Sequence, residues 1–128
     1  MSRSILLAAV LAAAASAAGA QTQLPTEFPD DAQPFTAETL RERVAGKVFK
    51  VKPADGSEWR LDYKANGYAF IDTSRGFRDS GTWKVEGTQL CVEWKRSSNG
   101  GCSEARLKGD TLYVKRSANG EVIVLMAQ

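Results

Sequence analysis

The chain has 128 residues, with 17 Lys or Arg against 15 Asp or Glu, two Cys and no His. That length accommodates one domain. Without histidine, His-based catalytic triads, His-containing zinc sites and imidazole acid–base catalysis are excluded. Two cysteines are too few for a closed thiolate metal site, and the sequence therefore predicts no metal or other cofactor.

Residues 1–20 have the features of a secretory signal peptide. Arg3 gives a basic start, residues 5–18 are apolar or small apart from Ser16, and small residues precede the expected cleavage point. The apolar run is shorter than the ~20 residues needed to span a bilayer. We predict cleavage after Ala20, export to the periplasm or the medium, and no membrane span.

Residues 21–35 contain three of the four prolines and no basic residue. This composition is typical of an extended, weakly ordered leader. Two roles are open: a spacer, or an arm that inserts into a partner's cleft with Leu24 and Phe28 as apolar anchors.

A short helix is predicted after the leader. Thr36 is a favourable N-cap, and Gly46 follows the expected last residue, Ala45. Leu40 and Val44 share one face of this helix, which we expect to be buried.

Regularly spaced turn signals follow Gly46, at intervals of 9 to 13 residues. The turns are marked by Asp55-Gly56, Asn66-Gly67, Arg75-Gly76, Glu86-Gly87, Asn99-Gly100, Gly109-Asp110 and Asn119-Gly120. The runs between them alternate apolar and polar residues, as half-buried strands do. We predict strands at 47–52, 57–63, 68–73, 79–85, 89–96, 102–107, 111–116 and 121–127.

The predicted fold of residues 36–128 is all-β. Short connections make successive strands antiparallel neighbours. An eight-stranded meander hides its edges most simply by closing into an up-and-down barrel, with the short helix at one end. A two-sheet sandwich is the alternative.

Cys91 and Cys102 are predicted to form one structural disulfide, since an exported chain of this size gains stability from a covalent link. A redox-active pair usually has the Cys-x-x-Cys spacing, which these residues lack. The register is a difficulty: if Asn99-Gly100 forms a tight hairpin, Cys102 faces residue 96 instead of Cys91.

The three tryptophans, Trp59, Trp83 and Trp94, fall in predicted strands together with Tyr63, Tyr68 and Phe70. They could line a ligand pocket. Core packing is favoured, because an eight-stranded barrel is just wide enough for its own side chains to fill.

Basic residues recur along the strands and turns, at Lys47, Lys50, Lys52, Arg75, Arg78, Lys95, Arg96, Arg106, Lys108, Lys115 and Arg116. Interleaved with aromatics, they raise the possibility of single-stranded nucleic-acid binding. The balanced net charge and the predicted export argue against a nucleic-acid partner, and we assign these residues to solvated outer faces of the strands.

Carboxylate catalysis is the enzymatic hypothesis to weigh, with Asp55 and Glu58, or Asp72 and Asp79, as the nearest pairs. Nothing in the pattern places two acids in an apolar setting, and no nucleophile-elbow or phosphate-loop motif occurs. We predict that the protein is not an enzyme and has no catalytic residues.

The most polar loop, residues 73–81, carries an aromatic residue between two arginines. A solvated hairpin tip accounts for it, but recognition often resides in such loops. If the loop is a contact site, we expect Arg75, Phe77 and Arg78 to form it.

A family resemblance rests on Gly81, Trp83, Leu90, Cys91, Trp94 and Cys102, followed by residues 109–113. Over residues 37–125 the chain resembles a family of small secreted bacterial β-proteins that is known only as a domain of unknown function. The resemblance implies a calycin-like barrel with one disulfide and supplies no activity. A weaker, architectural likeness is to periplasmic protein inhibitors of secreted metalloproteases.

Three functional hypotheses follow. The first is an exported, non-enzymatic β-barrel module that binds a small ligand or an exported protein, and that we expect to be monomeric. The second is a periplasmic inhibitor of a secreted hydrolase or protease, acting through the N-terminal arm. The third, and least favoured, is a hydrolase that uses carboxylates.

Overall fold

The computed structural model describes residues 23–128, which form one short helix followed by eight strands. The predicted signal peptide and its cleavage point lie outside the described residues. Helix α1 spans Ala37–Val44. The strands are β1 (Lys47–Val51), β2 (Trp59–Tyr63), β3 (Tyr68–Thr73), β4 (Arg78–Glu86), β5 (Gln89–Trp94), β6 (Gly101–Lys108), β7 (Thr111–Lys115) and β8 (Val122–Ala127).

The strands form a closed antiparallel barrel in chain order. β1 and β8 close it through Phe49 opposite Ala127 and Lys50 opposite Met126. Closure leaves no free sheet edge, which is the reason a meander of this length adopts it. The predicted up-and-down barrel is confirmed, and the sandwich alternative is wrong.

Helix α1 begins where its sequence predicts. The hydroxyl of Thr36 accepts a hydrogen bond from the N–H of Thr39 at 3.1 Å, which satisfies one of the free donors of the first turn. Leu40 and Val44, four residues apart, are fully buried. The helix therefore attaches to the barrel through this one apolar face, as predicted.

An aromatic cluster forms part of the barrel core. Phe49, Tyr63 and Trp83 stack edge to face, with successive ring centroids 5.9 Å apart. The indole N–H of Trp83 donates to the carbonyl oxygen of Lys64 at 2.8 Å, so this large side chain is buried without losing a hydrogen bond.

The disulfide links directly opposite residues of β5 and β6. Cys91 pairs with Cys102 in the strand register, and their Cα atoms are 3.9 Å apart. The predicted pairing is confirmed, whereas the tight turn at Asn99-Gly100 is wrong. Residues 95–100 instead form a longer loop, which moves Cys102 back along the strand to face Cys91 without a bulge.

The described part of the leader, residues 23–35, is called the arm below. Its composition predicts a weakly ordered segment. In the structure the arm instead lies along the outside of the barrel. The carbonyl oxygen of Pro25 accepts from the N–H of Val122 at 2.7 Å, and Gln33 exchanges two backbone hydrogen bonds of 2.8 Å with Leu107. Ala32 of the arm is buried.

Candidate functional site

The two ends of the barrel differ in how they are closed. Helix α1 occupies one end, where Arg43 also reaches Asp110 in the turn between β6 and β7 at 3.4 Å. The other end is bounded by four loops, 52–58, 74–77, 95–100 and 116–121. We call this second end the mouth.

A cavity of about 210 Å³ opens at the mouth. Apolar side chains of the barrel interior form most of its wall, including Trp59, Ile71, Val92, Trp94 and Ile123. Neutral polar groups from the loops, among them those of Ser97, Asn99 and Ser117, lie at its rim. The cavity is thus mostly apolar, with polar groups gathered on one side, as is typical of small-ligand sites.

Small inward-facing residues on β6 account for the empty space. In the strand register Gly101 lies opposite Val92, and Ser103 lies opposite Leu90. An eight-stranded barrel is just filled when its inward side chains are large. The glycine and the serine add little side-chain volume to the β6 part of the wall, which faces Trp59 of β2 and adjoins Trp94 of the neighbouring strand β5.

One charged side chain, that of Arg116, lines the cavity within residues 23–128. Its guanidinium carbon lies 4.8 Å from the centroid of the Trp59 ring, a cation–π distance. The carboxylate of Glu121 is 4.0 Å away, and the side chain of Arg116 is 20% exposed. Burial lowers the pKa of Arg116 from its usual value, whereas Glu121 and Asp55 act in the opposite direction.

Asp79 holds the 95–100 loop in place. Its carboxylate accepts hydrogen bonds from the backbone N–H groups of Ser80 at 2.8 Å, of Arg96 at 3.1 Å and of Ser97 at 2.8 Å. Burial raises the pKa of Asp79, but the hydrogen bonds from Ser97, Ser80 and Arg96 outweigh it and hold the pKa below its usual value. The loop that forms one side of the mouth is therefore fixed by one ionised side chain.

The 52–58 and 74–77 loops are joined to each other. Ser74 and Glu58 exchange two hydrogen bonds of 2.9 Å, and Arg75 donates to the carbonyl oxygen of Asp55 at 2.8 Å. Hydrogen bonds from Ser57 hold the pKa of the Asp55 carboxyl below its usual value. Two of the four mouth loops therefore behave as one connected wall.

The predicted contact loop contributes one residue to the cavity. Phe77 lines it and is 39% exposed, with Arg96 at a cation–π distance of 5.8 Å. Arg75 instead joins the two loops, and Arg78 lies outside the mouth, where it binds Asp72 at 3.3 Å. The structure does not bring the three residues into one contact patch.

The two predicted arm anchors contact this protein's own barrel. Leu24 packs against the core, and the ring of Phe28 lies 5.1 Å from the guanidinium carbon of Arg106 on β6. Lys108 also binds Asp31 of the arm at 3.2 Å. The arm is therefore attached to the barrel by apolar contacts, a cation–π contact and an ion pair.

The aromatic residues divide into three groups instead of one core. Tyr63 and Trp83 are buried, as predicted, whereas Trp59 and Trp94 line the cavity. Tyr68 and Phe70 face outwards and are 52% and 41% exposed. The core prediction is wrong for these last two, because the register of β3 turns Ala69 and Ile71 inwards.

Arg116 is the cavity-lining charged residue that sequence reasoning missed. It was assigned to an outer strand face together with the other basic residues, but it follows Leu112 and Val114 at intervals of two, and those two residues point inwards. Alternate residues of a strand point to the same side, so the spacing of Arg116 from Leu112 and Val114 predicts that it points inwards.

The four carboxylates considered for catalysis engage separate partners. Glu58 binds Lys50 at 3.2 Å, and Asp72 binds Arg78, while Asp55 and Asp79 organise the mouth loops as described. In residues 23–128 one grouping of possible metal ligands occurs, Glu86 with the two cysteines. Because both sulfurs are in the disulfide, neither offers a thiolate.

Comparisons with protein-family models, curated proteins and solved structures find no match to this chain. Within residues 23–128, the single helix is too short and too polar to cross a bilayer.

Proposed function

We propose that the protein is an exported, non-enzymatic β-barrel module that binds a small, partly apolar molecule in the mouth cavity. The cavity itself is the observation that supports this proposal: it is walled by two tryptophans and open at one end, two of its loops are joined to each other, and a third is held by Asp79. Such pre-formed, mostly apolar concavities with a few polar groups are the usual form of a small-molecule site.

The volume limits the size of the ligand. An apolar cavity of about 150 Å³ accommodates benzene, and the cavity here is about 210 Å³. Pockets for drug-sized ligands have volumes of about 300–1,000 Å³. The cavity therefore encloses a molecule with one ring and a short substituent, whereas a larger ligand would extend out of the mouth.

A pair of identical substitutions tests this proposal. Val92→Phe places a ring in the cavity, and Val124→Phe adds the same ring on the outside of β8, where Val124 is 36% exposed. Titration with benzyl alcohol, followed by NMR of the tryptophan indole N–H groups, should give saturable shifts for Trp59 and Trp94. We expect Val92→Phe to abolish them and Val124→Phe to leave them unchanged; equal shifts in all three proteins would contradict the proposal.

Export is supported by the chemistry of the disulfide. A covalent link between β5 and β6 persists in an oxidising compartment such as the periplasm or the medium. The mass of the protein recovered from its own host checks both cleavage after Ala20 and the two hydrogens lost at the disulfide. We expect a monomer in the same measurement.

The resemblance to the family of small secreted β-proteins fits the same proposal, since its most specific residues have identifiable structural roles. Trp83 is buried in the core, Cys91 and Cys102 form the disulfide, and Trp94 lines the cavity. Gly81 lies where a Cβ would overlap the backbone of Glu93. We propose that the family pattern encodes this barrel and its mouth.

The inhibitor and hydrolase hypotheses receive less support. An inhibitory arm needs anchors that are free to enter a partner's cleft, but Leu24 and Phe28 contact the barrel. A carboxylate hydrolase needs two acids directed at one reacting bond, but the four candidates engage separate partners. A full-length protein that inhibits a secreted protease, and loses this effect when residues 21–35 are deleted, would restore the inhibitor hypothesis.

A further inference from the structure

Arg116 gives the cavity a chemical preference as well as a shape. All other described residues that line it are apolar or neutral, so the guanidinium supplies the one formal charge. Arginine stays protonated in proteins and carries five N–H donors. A cavity that is apolar on most sides and positively charged at one point favours a ligand with an apolar body and one negative group.

The donors of Arg116 are available to a ligand. The contact with Glu121, at 4.0 Å, is longer than a hydrogen bond. Stacking on Trp59 engages the face of the guanidinium plane and leaves its N–H edge free. Among residues 23–128 the guanidinium makes no hydrogen bond with an acceptor of the protein.

Further donors line the same cavity. The side-chain amide of Asn99 and the hydroxyl of Ser117 belong to the same cavity wall. Together with Arg116 they could satisfy both oxygens of a carboxylate, which binds an arginine fork through two parallel hydrogen bonds.

We infer that the mouth cavity binds a small aromatic carboxylate, with its ring between Trp59 and Trp94 and its carboxylate on Arg116. This inference rests on the proposed function, because it names the ligand class of the same cavity. The ring fills the apolar volume, and the carboxylate replaces water on a half-buried cation. Glu121 opposes the ligand's charge and weakens binding while it is ionised.

Three probes of one shape test the ligand class: phenylacetate, the neutral phenylacetamide and the cationic phenethylamine. At about pH 7 and low salt, NMR titration of the full chain should give a dissociation constant at least about tenfold lower for phenylacetate than for phenylacetamide, because hydrogen bonds to a charged group are the stronger ones. Phenethylamine should bind more weakly than both. An equal or reversed order would overturn the inference.

Arg116 and Arg78 provide a matched pair of variants, one inside the cavity and one outside the mouth. Arg116→Met keeps the length of the side chain and removes its charge, so the preference for phenylacetate over phenylacetamide should fall to about onefold while phenylacetamide still binds. Arg78→Met makes the same change outside the cavity, at a side chain that is 78% exposed. We expect it to retain the preference, and loss of the preference in both variants would point to general surface charge instead.

Glu121→Gln keeps the test decisive if Arg116→Met does not fold. Removal of the opposing carboxylate leaves Arg116 in place, and the affinity for phenylacetate should rise several-fold with no change for phenylacetamide. An unchanged or lower phenylacetate affinity would overturn the inference.

If none of the three probes shifts the Trp59 and Trp94 signals, and benzyl alcohol also fails to do so, the proposed function falls. If benzyl alcohol alone binds, only the carboxylate preference falls.

Discussion

The guanidinium of Arg116 lies over the indole ring of Trp59, 4.8 Å from its centroid, at the open end of the barrel. Trp59 is in β2 and Arg116 directly follows β7, and these two strands are not neighbours in the barrel. The contact therefore spans the mouth, and it fixes the one cation of the cavity against an apolar wall. A cation held in this way is pre-organised for a ligand, since little side-chain freedom remains to be lost.

A double-mutant cycle measures this contact. We expect Trp59→Leu and Arg116→Met, made singly and together, to show a coupling of about 1 kcal/mol in the free energy of unfolding, because the pair is half-buried. Urea unfolding at low salt gives the three values. Phe77 and Arg96, 5.8 Å apart and more exposed, form the matched control, for which Phe77→Leu and Arg96→Met should couple by less than about 0.5 kcal/mol. Equal coupling in both cycles would contradict the special position of Arg116.

The disulfide stabilises the short pairing between β5 and β6, which we call the seam. β5 and β6 are paired over four residue pairs, from Gln89 with Glu104 to Val92 with Gly101. We expect Cys91→Ser combined with Cys102→Ser to lower the free energy of unfolding by about 3 kcal/mol, since the linked loop is short. Urea unfolding measures the loss.

Reduction supplies the control for the disulfide prediction. A reducing agent should weaken the wild-type protein by about the same amount and leave the double serine variant unchanged. Hydrogen exchange should then be fastest along the seam, in residues 89–92 and 101–104. A melting temperature that is the same with and without reductant would contradict a structural role.

Much of the fold could be predicted because turn residues and alternation are local signals. Each strand begins and ends within two residues of its predicted position, and Thr36 caps the helix as expected. The facing of β3 could not be predicted in the same way. The strand begins with four consecutive apolar or aromatic residues, 68–71, so alternation does not tell which of them point inwards. Pairing with β2 and β4 decides it.

The candidate site was harder to predict because it depends on contacts across the barrel. The sequence places Trp94 and Arg116 in strands, but the cavity wall combines small residues of β6, Gly101 and Ser103, with large residues of several other strands. The position of the 95–100 loop also depends on a distant residue, because the loop is held by Asp79, which is 17 residues before Arg96 in the chain. Alternation alone carries no information on such pairings.

Gly81 allows β4 and β5 to approach closely inside the barrel. A Cβ at this position would overlap the carbonyl oxygen of Glu93, an atom that cannot move without disturbing the β5 backbone. We expect Gly81→Ala to destabilise the protein by about 3 kcal/mol or to prevent folding, as overpacking against backbone does. Thermal unfolding by circular dichroism measures the effect.

Gly56 provides the comparison for Gly81. It has a φ of +80° but open space around it, so Gly56→Ala should cost about 1–2 kcal/mol through backbone strain alone. Gly56→Asn should cost less, because asparagine adopts this conformation more readily. If Gly81→Ala were the milder of the two alanine substitutions, the close approach would not be a constraint on the fold.

The arm contributes to stability through Phe28. Its ring covers the Arg106 guanidinium at 5.1 Å and is partly buried. We expect Phe28→Ala to lower the free energy of unfolding by about 1–2 kcal/mol, from lost apolar burial and a lost cation–π contact. Phe28→Leu should recover about half of the loss. Limited proteolysis should cleave the arm of the alanine variant faster, and equal cleavage rates would indicate an arm that is free of the barrel.

Asp79 makes the mouth sensitive to acid. Its pKa in the folded protein lies below its usual value, so the ionised carboxylate stabilises the folded state. This contribution is fully present above the pKa of an unfolded aspartate, about 3.9, and is lost as the pH falls through the lower, folded-state value. We therefore expect Asp79→Asn to lower the melting temperature at about pH 7 and to lose less stability than the wild type between about pH 5 and about pH 2.

Asp110 is the control for this prediction, since its side chain is 97% exposed, and we expect Asp110→Asn to lower the melting temperature at about pH 7 much less than Asp79→Asn does. Hydrogen exchange locates the effect: in Asp79→Asn the N–H groups of Arg96 and Ser97 should exchange faster at neutral pH, because the amide oxygen is a weaker acceptor than the carboxylate. Loosening of this loop widens the mouth without unfolding the barrel, so affinity for a cavity ligand should fall together with loop protection. Parallel acid profiles for Asp79→Asn and Asp110→Asn would show that the loop is held by other contacts.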